Sequence, residues 1–347
     1  MADFLKTLGR WSILTFFLLT MVMVFVWVVA GISYLDFWLP TSITKLMALV
    51  VAGLLVYFGA RPTSRRAAVI ALCLLGLALL VVFQTRSPRL DGNWIAGQQR
   101  LPQIELSKDG LAVEIREIRD FVYSDDGDMQ ENWRSKTFDL ENIDSVWFGV
   151  DRFTEFEPIA HTFISFGFLS VEADGAPEFV AFSVEARRET TEDAYSPLRG
   201  VFSHYELHYV VATERDMLTQ RSVGNCRPVQ LYPMRAEKSR MQKMFRDIVM
   251  RIKTLKGEPE FYHTIRNNCT NNIVAHANHA GGADEQINMW QRDVIFPGYV
   301  DWLAHRYGLI DTDLPLAEAR EQYRIDQRAA QWDGEQDFSQ FIRQSAN

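Results

Sequence analysis

The sequence has little cysteine and none of the short motifs that hold metals or nucleotides. Three cysteines in 347 residues, with no CxxC pair, exclude a disulfide scaffold and a thiolate zinc site. There is no GxGxxG after a strand, no GxxxxGKS or GxxxxGKT and no HExxH, so no cofactor and no catalytic metal is expected. Asp and Glu outnumber Lys and Arg, 44 against 36, for a formal net charge of -8. That balance gives no support for nucleic-acid binding. Internal repeats and low-complexity segments are also missing.

Charge itself is absent from long stretches of the first ninety residues. Residues 11–32 are uncharged and rich in Phe, Leu, Val and Met, residues 43–60 are broken only by Lys45, and residues 67–83 are uncharged again. A hydrocarbon core of about 30 Å needs about 20 apolar residues per helix, so three transmembrane helices are expected. A cleaved signal peptide has a shorter apolar region and is not followed by two more spans. Lys6 and Arg10 precede the first span, and Arg61, Arg65 and Arg66 lie between the second and third. Positive flanks stay on the cytoplasmic side, which places the N-terminus inside and the chain beyond the third span outside. Tyr34 and Trp38 are candidate interfacial anchors. The expected division is a transmembrane region over 1–87 and an exported domain over 88–347.

The exported domain reads as α+β. Leu111 to Val122 alternates apolar and charged residues, Ser124 to Asp128 is turn chemistry, and Trp133 to Leu140 is a return strand. Further strands are expected at 145–150, 160–171, 178–186, 205–213 and 227–232. After Pro233 the period changes: Met241, Met244, Phe245, Ile248, Val249, Ile252 and Leu255 recur at helical spacing, and Gly257 and Pro259 end that helix. The segment Arg235 to Lys256 carries eight Lys or Arg residues against Glu237 and Asp247. One face of it suits anionic headgroups or simply solvent. The tail from Leu314 is polar and helical in parts, with Tyr323, Ile325, Trp332, Phe338, Phe341 and Ile342 requiring burial.

Cys269 opens a second helical segment, CTNNIVAHANHAGG, which ends in Gly281-Gly282. At a helix N-terminus the orphan amides and the dipole stabilise a thiolate, and a lowered thiol pKa makes a nucleophile. The flanking Asn267, Asn268, Asn271 and Asn272 suit a tight loop, and one of them suits an oxyanion donor. A buried structural cysteine, or a disulfide with Cys226, is the alternative; Cys73 lies within the third span. Of the seven histidines, His276 and His279 share the helix but sit two and three turns along it. His204 and His208 lie in FSHYELHYV, where a separation of four puts both on one face if the segment is strand. His161 opens the apolar strand HTFISFGF, where a ring is held on a rigid element as a general base requires.

The strings IAHTFISFGF, FVAFSVEARRE, YSPLRGVFSHYELHYVVATERD, VQLYP, RNNCTNNI and DFSQFIR resemble the bacterial Lnb N-terminal periplasmic domain family. The resemblance covers nearly the whole exported domain in order, and the three-span N-terminus that many members carry. It implies a multi-pass inner-membrane protein with a periplasmic, permuted papain-like (NlpC-like) domain: an antiparallel sheet and a cysteine-bearing helix. In that permuted order the histidine strand precedes the cysteine helix and an asparagine stands just before the cysteine, as His161, Cys269 and Asn268 do. A polar residue on the next strand then fixes the imidazole tautomer. Alternation in FVAFSVEARRE puts Ala181, Ser183 and Glu185 on one face, so Glu185 is the choice, with an ion pair to Arg187 or Arg188 as its alternative role. Tyr205 and Glu206 are similar to family positions that line the cleft or orient His161.

Lnb is a lipoprotein N-acyltransferase. The resemblance therefore implies a phospholipid acyl donor and, as acceptor, the α-amine of a lipoprotein's N-terminal cysteine. The family's full-length acyltransferase carries a further C-terminal membrane region, whereas here no apolar span follows the domain before Asn347. The expectation is a membrane-anchored thiol enzyme of acyl transfer or hydrolysis. A cysteine peptidase or amidase acting on envelope peptide or peptidoglycan, and a non-catalytic envelope binding protein, stay open beside it.

Overall fold

Three apolar helices come first: α1 (Ala2–Ser33), α2 (Thr41–Ala60) and α3 (Arg65–Gln84). The computed structural model describes residues 2–35, 39–124, 129–172, 175–192, 194–222 and 228–344. Trp38, Cys226 and most of the 124–128 turn lie outside the described residues. Within the helices, Thr15–Ser33, Thr41–Ala60 and Arg65–Gln84 are long and apolar enough to cross a membrane. Their outward side chains include Phe16, Leu49 and Ile70, exposed by 73%, 72% and 59%, a pattern that fits lipid and not water.

Two compact units divide the chain: Met1–Ser87 with Ser196–His204, and Pro88–Tyr195 with Tyr205–Asn347. The grouping of Ser196–His204 with the apolar helices is not visible in composition. Its short helix α4 (Pro197–Val201) begins at Ser196, whose side chain accepts from the Arg199 amide. Phe202 then stacks on Tyr34 at 5.2 Å between ring centroids and lies 5.4 Å from Phe83 and 6.3 Å from Trp27. Arg86 donates to the Ser203 carbonyl at 2.9 Å. The bundle core is Val28, Ile32, Ala48, Leu72 and Leu79, and Gly76 lets Val24 and Val28 close in on α3.

The second unit is built on a sheet of β1 (Gln103–Leu106), β2 (Ala112–Arg119), β5 (Trp133–Asp139), β6 (Ile143–Asp151), β7 (His161–Phe168), β8 (Glu178–Arg187), β9 (Glu206–Ala212) and β10 (Val229–Pro233). The hairpin tip between β2 and β5 carries β3 (Val122–Tyr123) and β4 (Met129–Gln130). The order β1-β2-β9-β8-β7-β6-β10, with β5 also on β2, is antiparallel except where β2 meets β9. The mixed α+β class is as expected from the sequence, with β7 in the interior of the sheet.

Helices cover both faces, which explains why HTFISFGF is almost continuously apolar. On one side lie α6 (Lys238–Gly257), α7 (Cys269–Ala280) and α9 (Val300–Arg306). Ile164, Phe166 and Phe168 point there, and the Phe245 ring of α6 sits edge-on to Phe166, Phe182 and Phe168 at 5.2, 5.4 and 5.5 Å. On the other side are α5 (Glu214–Ser222), α11 (Asp326–Ala329) and α12 (Phe338–Phe341), where Phe163 and Ala181 meet Met217, Leu218, Phe338 and Ile342. Two further helices, α8 (Arg292–Ile295) and α10 (Leu316–Gln322), complete the C-terminal half. All three arginines of α6 serve the domain itself: Arg240 pairs with Glu285, Arg251 with Glu260, and Arg246 donates to the Gly110 carbonyl.

The tail is fastened to β7 by charge. Arg343 forks onto the buried Glu214 at 2.6 and 2.7 Å, and Ser165 of β7 donates to the same carboxylate. Removing one partner of such a buried pair leaves the other charge without compensation, at a cost of about 3–5 kcal/mol. Arg343→Ala is therefore expected to lower unfolding stability by about that amount, read by chemical denaturation. A loss no larger than that of an exposed arginine would show that the tail does not support the strand.

Candidate active site

Four asparagines shape the entry to α7. Asn268 is the N-cap: its side-chain oxygen accepts from the Asn271 amide at 2.9 Å, and the Asn271 side chain accepts from the Asn268 amide at 3.2 Å. This reciprocal arrangement is a capping box with asparagine in both roles. Asn267 and His263 exchange backbone hydrogen bonds of 3.0 Å, and Asn272 donates to the Asn267 side chain at 2.9 Å and to the Asn268 carbonyl at 2.8 Å. The side-chain amide of Asn267 donates to Glu260 and to the Phe261 carbonyl, and that of Asn268 to the Thr264 carbonyl. Both therefore hold the loop.

The cap puts Cys269 first in the helix, with a free thiol and 2% exposure. Next to it, Thr270 meets Thr162 of β7 at 3.0 Å between hydroxyls, which joins the helix start to the strand start. His161 begins that strand beside Cys269, near enough for the charge of each to act on the other. On its other side the ring is held by β8. Ser183 donates to Glu185 Oε1 at 2.6 Å, so His161 Nε2–H donates to Ser183 Oγ, also at 2.6 Å, with Glu185 Oε1 3.3 Å away. Nε2 is thereby occupied and the other ring nitrogen is left for the thiol.

Glu185 is anchored from α5. Arg221 donates through Nη2 to Glu185 Oε1 at 2.9 Å and through Nη1 to the Met217 carbonyl at 2.9 Å, while its Nε lies 3.7 Å from Asp151, the register partner of His161 on β6. Arg187, considered above as a partner for Glu185, instead donates to the carbonyls of Gln98, Leu90 and Gln99.

The electrostatics follow from these neighbours. Burial works against charge on the Cys269 sulfur, but the His161 cation, its hydrogen bond and Thr162 outweigh it and lower the thiol to about 7. Burial likewise disfavours the His161 cation, and the charges of Glu185 and Cys269 outweigh it, raising the imidazole to about 10. Glu185 resists burial through His161, Arg221 and Ser183 and is held well below the usual carboxylate range. Between about pH 7 and 10 the group is a thiolate–imidazolium pair backed by a carboxylate.

Two tyrosines join the site without any signal at the level of motifs. Tyr195 hydrogen-bonds to Thr264 at 2.9 Å, and its ring lies 5.8 Å from Tyr262 and 5.6 Å from Tyr205. Burial raises Tyr195 to about 12 and Tyr262 well above its ordinary value, with the Cys269 charge contributing to both. Both phenols therefore stay protonated beside the sulfur. Tyr205, fully buried, accepts the Tyr262 amide through its carbonyl at 2.9 Å. Glu206 accepts the Arg89 amide at 3.2 Å, which among the described contacts links it to the N-terminal segment and not to the cysteine.

The remaining histidines are elsewhere. His276 bridges Asp247 at 2.6 Å and the Tyr209 hydroxyl at 2.8 Å, joining α6, α7 and β9. His208 is buried, and burial lowers it to about 3. Among the described residues no cluster of three His, Cys, Asp or Glu side chains suits a metal ion.

The alkylation rate of Cys269 with iodoacetamide is expected to rise with a midpoint near pH 7, since the thiolate predominates above about 7. Glu185→Gln removes an anion that keeps His161 charged, so the midpoint is expected to move up towards the ordinary thiol value of about 8.5. An ordinary midpoint in the wild type, or an unchanged one in Glu185→Gln, would rule out the ion pair.

Comparison with known proteins adds one finding. No curated protein and no solved structure matches the chain. The sequence profile of the Lnb N-terminal periplasmic domain matches residues 129–304, a stretch that contains β7, β8, α5 and α7, hence all of His161, Ser183, Glu185, Arg221 and Cys269. The chain is a membrane-associated periplasmic-domain protein and belongs to the Lnb N-terminal periplasmic domain family.

Proposed function

We propose that this protein is a membrane-anchored thiol enzyme of the bacterial cell envelope that moves acyl groups through a thioester on Cys269. The observation that carries the reading is the meeting of a helix-capped cysteine, a strand-borne histidine and a half-buried carboxylate at one end of β7 and β8. This order, histidine strand before cysteine helix, also suits a permuted papain-like site. The positive residues flanking the spans favour a cytoplasmic N-terminus and a periplasmic domain at the inner membrane.

The chemistry follows from the charges. The thiolate attacks the carbonyl carbon of a phospholipid ester, and the oxyanion that forms is met by the orphan amides of the first turn of α7. The carbon–sulfur bond is kept, the carbon–oxygen bond breaks, and imidazolium His161 gives its proton to the departing alkoxide. An amine then attacks the thioester, neutral His161 takes its proton, and the sulfur leaves as thiolate. Glu185 holds the ring in one orientation through both steps and stabilises its charged form. Resemblance to a lipoprotein acyltransferase supports the α-amine of a lipoprotein as acceptor.

Mass spectrometry of wild type and Cys269→Ala after incubation with phospholipid is the test. The expected result is an added acyl mass on the wild type alone, removed by hydroxylamine. A reactive thiol that accepts no acyl group would overturn the acyl-transfer reading and point to peptide amides. A thiol inert to alkylation as well would make Cys269 structural.

A further inference from the structure

Beside α7 lies a partly open apolar cavity of about 140 Å³, lined by α6, α9 and the sheet. Its wall includes Ile164, Met241, Met244, Ile273, Ala277 and Leu303, and among the described residues the only charged side chains that line it are Arg235 and Arg240. A water molecule needs two to four polar partners, which an aliphatic wall does not supply and an apolar guest does not need. The cavity is therefore suited to hydrocarbon.

Its position relates it to the nucleophile. Cys269 is not among the lining residues; Ile273, the first residue of α7 that is, follows it by one helical turn on the same face, about 6 Å along the axis. The lining continues through Ala277 to Gly281, about 18 Å from Cys269 at 1.5 Å per residue. An acyl chain in one leaflet occupies half of a core about 30 Å thick, a comparable length. At the Gly281 end the two arginines are already paired, Arg240 with Glu285 and Arg235 with Asp311, so that end offers a headgroup no unpaired cation. The amide donors at the start of α7, one turn before Ile273, suit the polar part of a ligand better.

We propose that this cavity seats the acyl tail of a phospholipid whose ester carbonyl lies at Cys269, with the tail running along α7 towards Gly281. The inference deepens the acyl-transfer reading and rests on it for the donor. The present volume matches a segment of about six carbons, by comparison with a benzene-sized guest. The unbranched, flexible Met241 and Met244 supply the adjustable wall that a longer chain requires.

The test uses full-length Cys269→Ala protein, which cannot turn over, reconstituted in vesicles of phosphatidylethanolamine and phosphatidylglycerol. A phosphatidylglycerol carrying a diazirine at the end of its acyl chain is added, and cross-linked peptides are mapped after irradiation. Labelling of 273–281 and 300–304 is expected, together with labelling of α1, α2 and α3 by the bilayer. In Ala277→Trp, added to the same background to fill the cavity, labelling of the two cavity segments is expected to fall at least about tenfold, about 1.4 kcal/mol of binding, while the spans keep theirs. Labelling of the spans alone in the Cys269→Ala protein would overturn the proposal without reference to the folding of the second variant. So would cavity labelling by a free fatty acid probe and not by the phospholipid. The acyl adduct on wild-type Cys269 is scored separately, so a thioester without cavity labelling rejects the cavity only, and cavity labelling without a thioester rejects the chemistry only.

Discussion

A run of alternating charges, largely withdrawn from water at one end of the sheet, is the constraint on which the rest of the domain depends. Cys269, His161, Glu185, Arg221 and Asp151 follow one another as thiolate, imidazolium, carboxylate, guanidinium and carboxylate. Each is placed between opposite signs or at the end of the run. Taking any one of them out of water is costly, and the cost is offset only where its neighbours are close and well oriented. They come from five different elements: α7, β7, β8, α5 and β6. The packing of helices on both faces of the sheet is therefore also what assembles the site.

That requirement explains why the supporting contacts converge on β7. Its two faces are secured differently: Thr162 meets Thr270 on the α7 side, while Ser165 meets Glu214 on the α5 side, with Arg343 behind it. A strand held from both faces presents its first residue in a fixed orientation, which the proposed role of His161 requires. The same logic applies to the loop before Cys269, where the capping box sets the backbone and the Asn267–Asn272 contact closes the turn.

Much of this was legible in the sequence, because period-two and period-3.6 patterns carry it. Alternation along β8 puts Val180, Phe182 and Val184 in one core and Ala181 in the other, with Ser183 and Glu185 following Ala181 on its face. The spacing of three between Asn268 and Asn271 is a capping-box spacing, although asparagine in both roles reads at first as ordinary loop composition. What could not be read were residues whose burial contradicts their polarity. In α5, ERDMLTQRS, the buried members include Glu214 and Asp216, neutralised by Arg343 and Arg119 from distant parts of the chain. A hydrophobic pattern cannot show such a helix, and Arg221 was hidden with it. The docking of Phe202 among Trp27, Tyr34 and Phe83 is similarly a long-range fact.

The distribution of exposure bears on which reaction the proposed chemistry favours. His161 and Glu185 keep 14% and 23% of their side-chain surface, so protons can exchange with solvent on the base side, while Cys269 at 2% belongs to the apolar core cluster. A thioester formed on that sulfur would sit where water is scarce and aliphatic surface abundant. Excluding water prolongs the life of an activated acyl group until a better nucleophile arrives. An amine held beside a neutral imidazole is such a nucleophile, and its attack needs no water at the sulfur. The sheltered sulfur and the apolar cavity along the same helix thus weigh in one direction, towards transfer over hydrolysis.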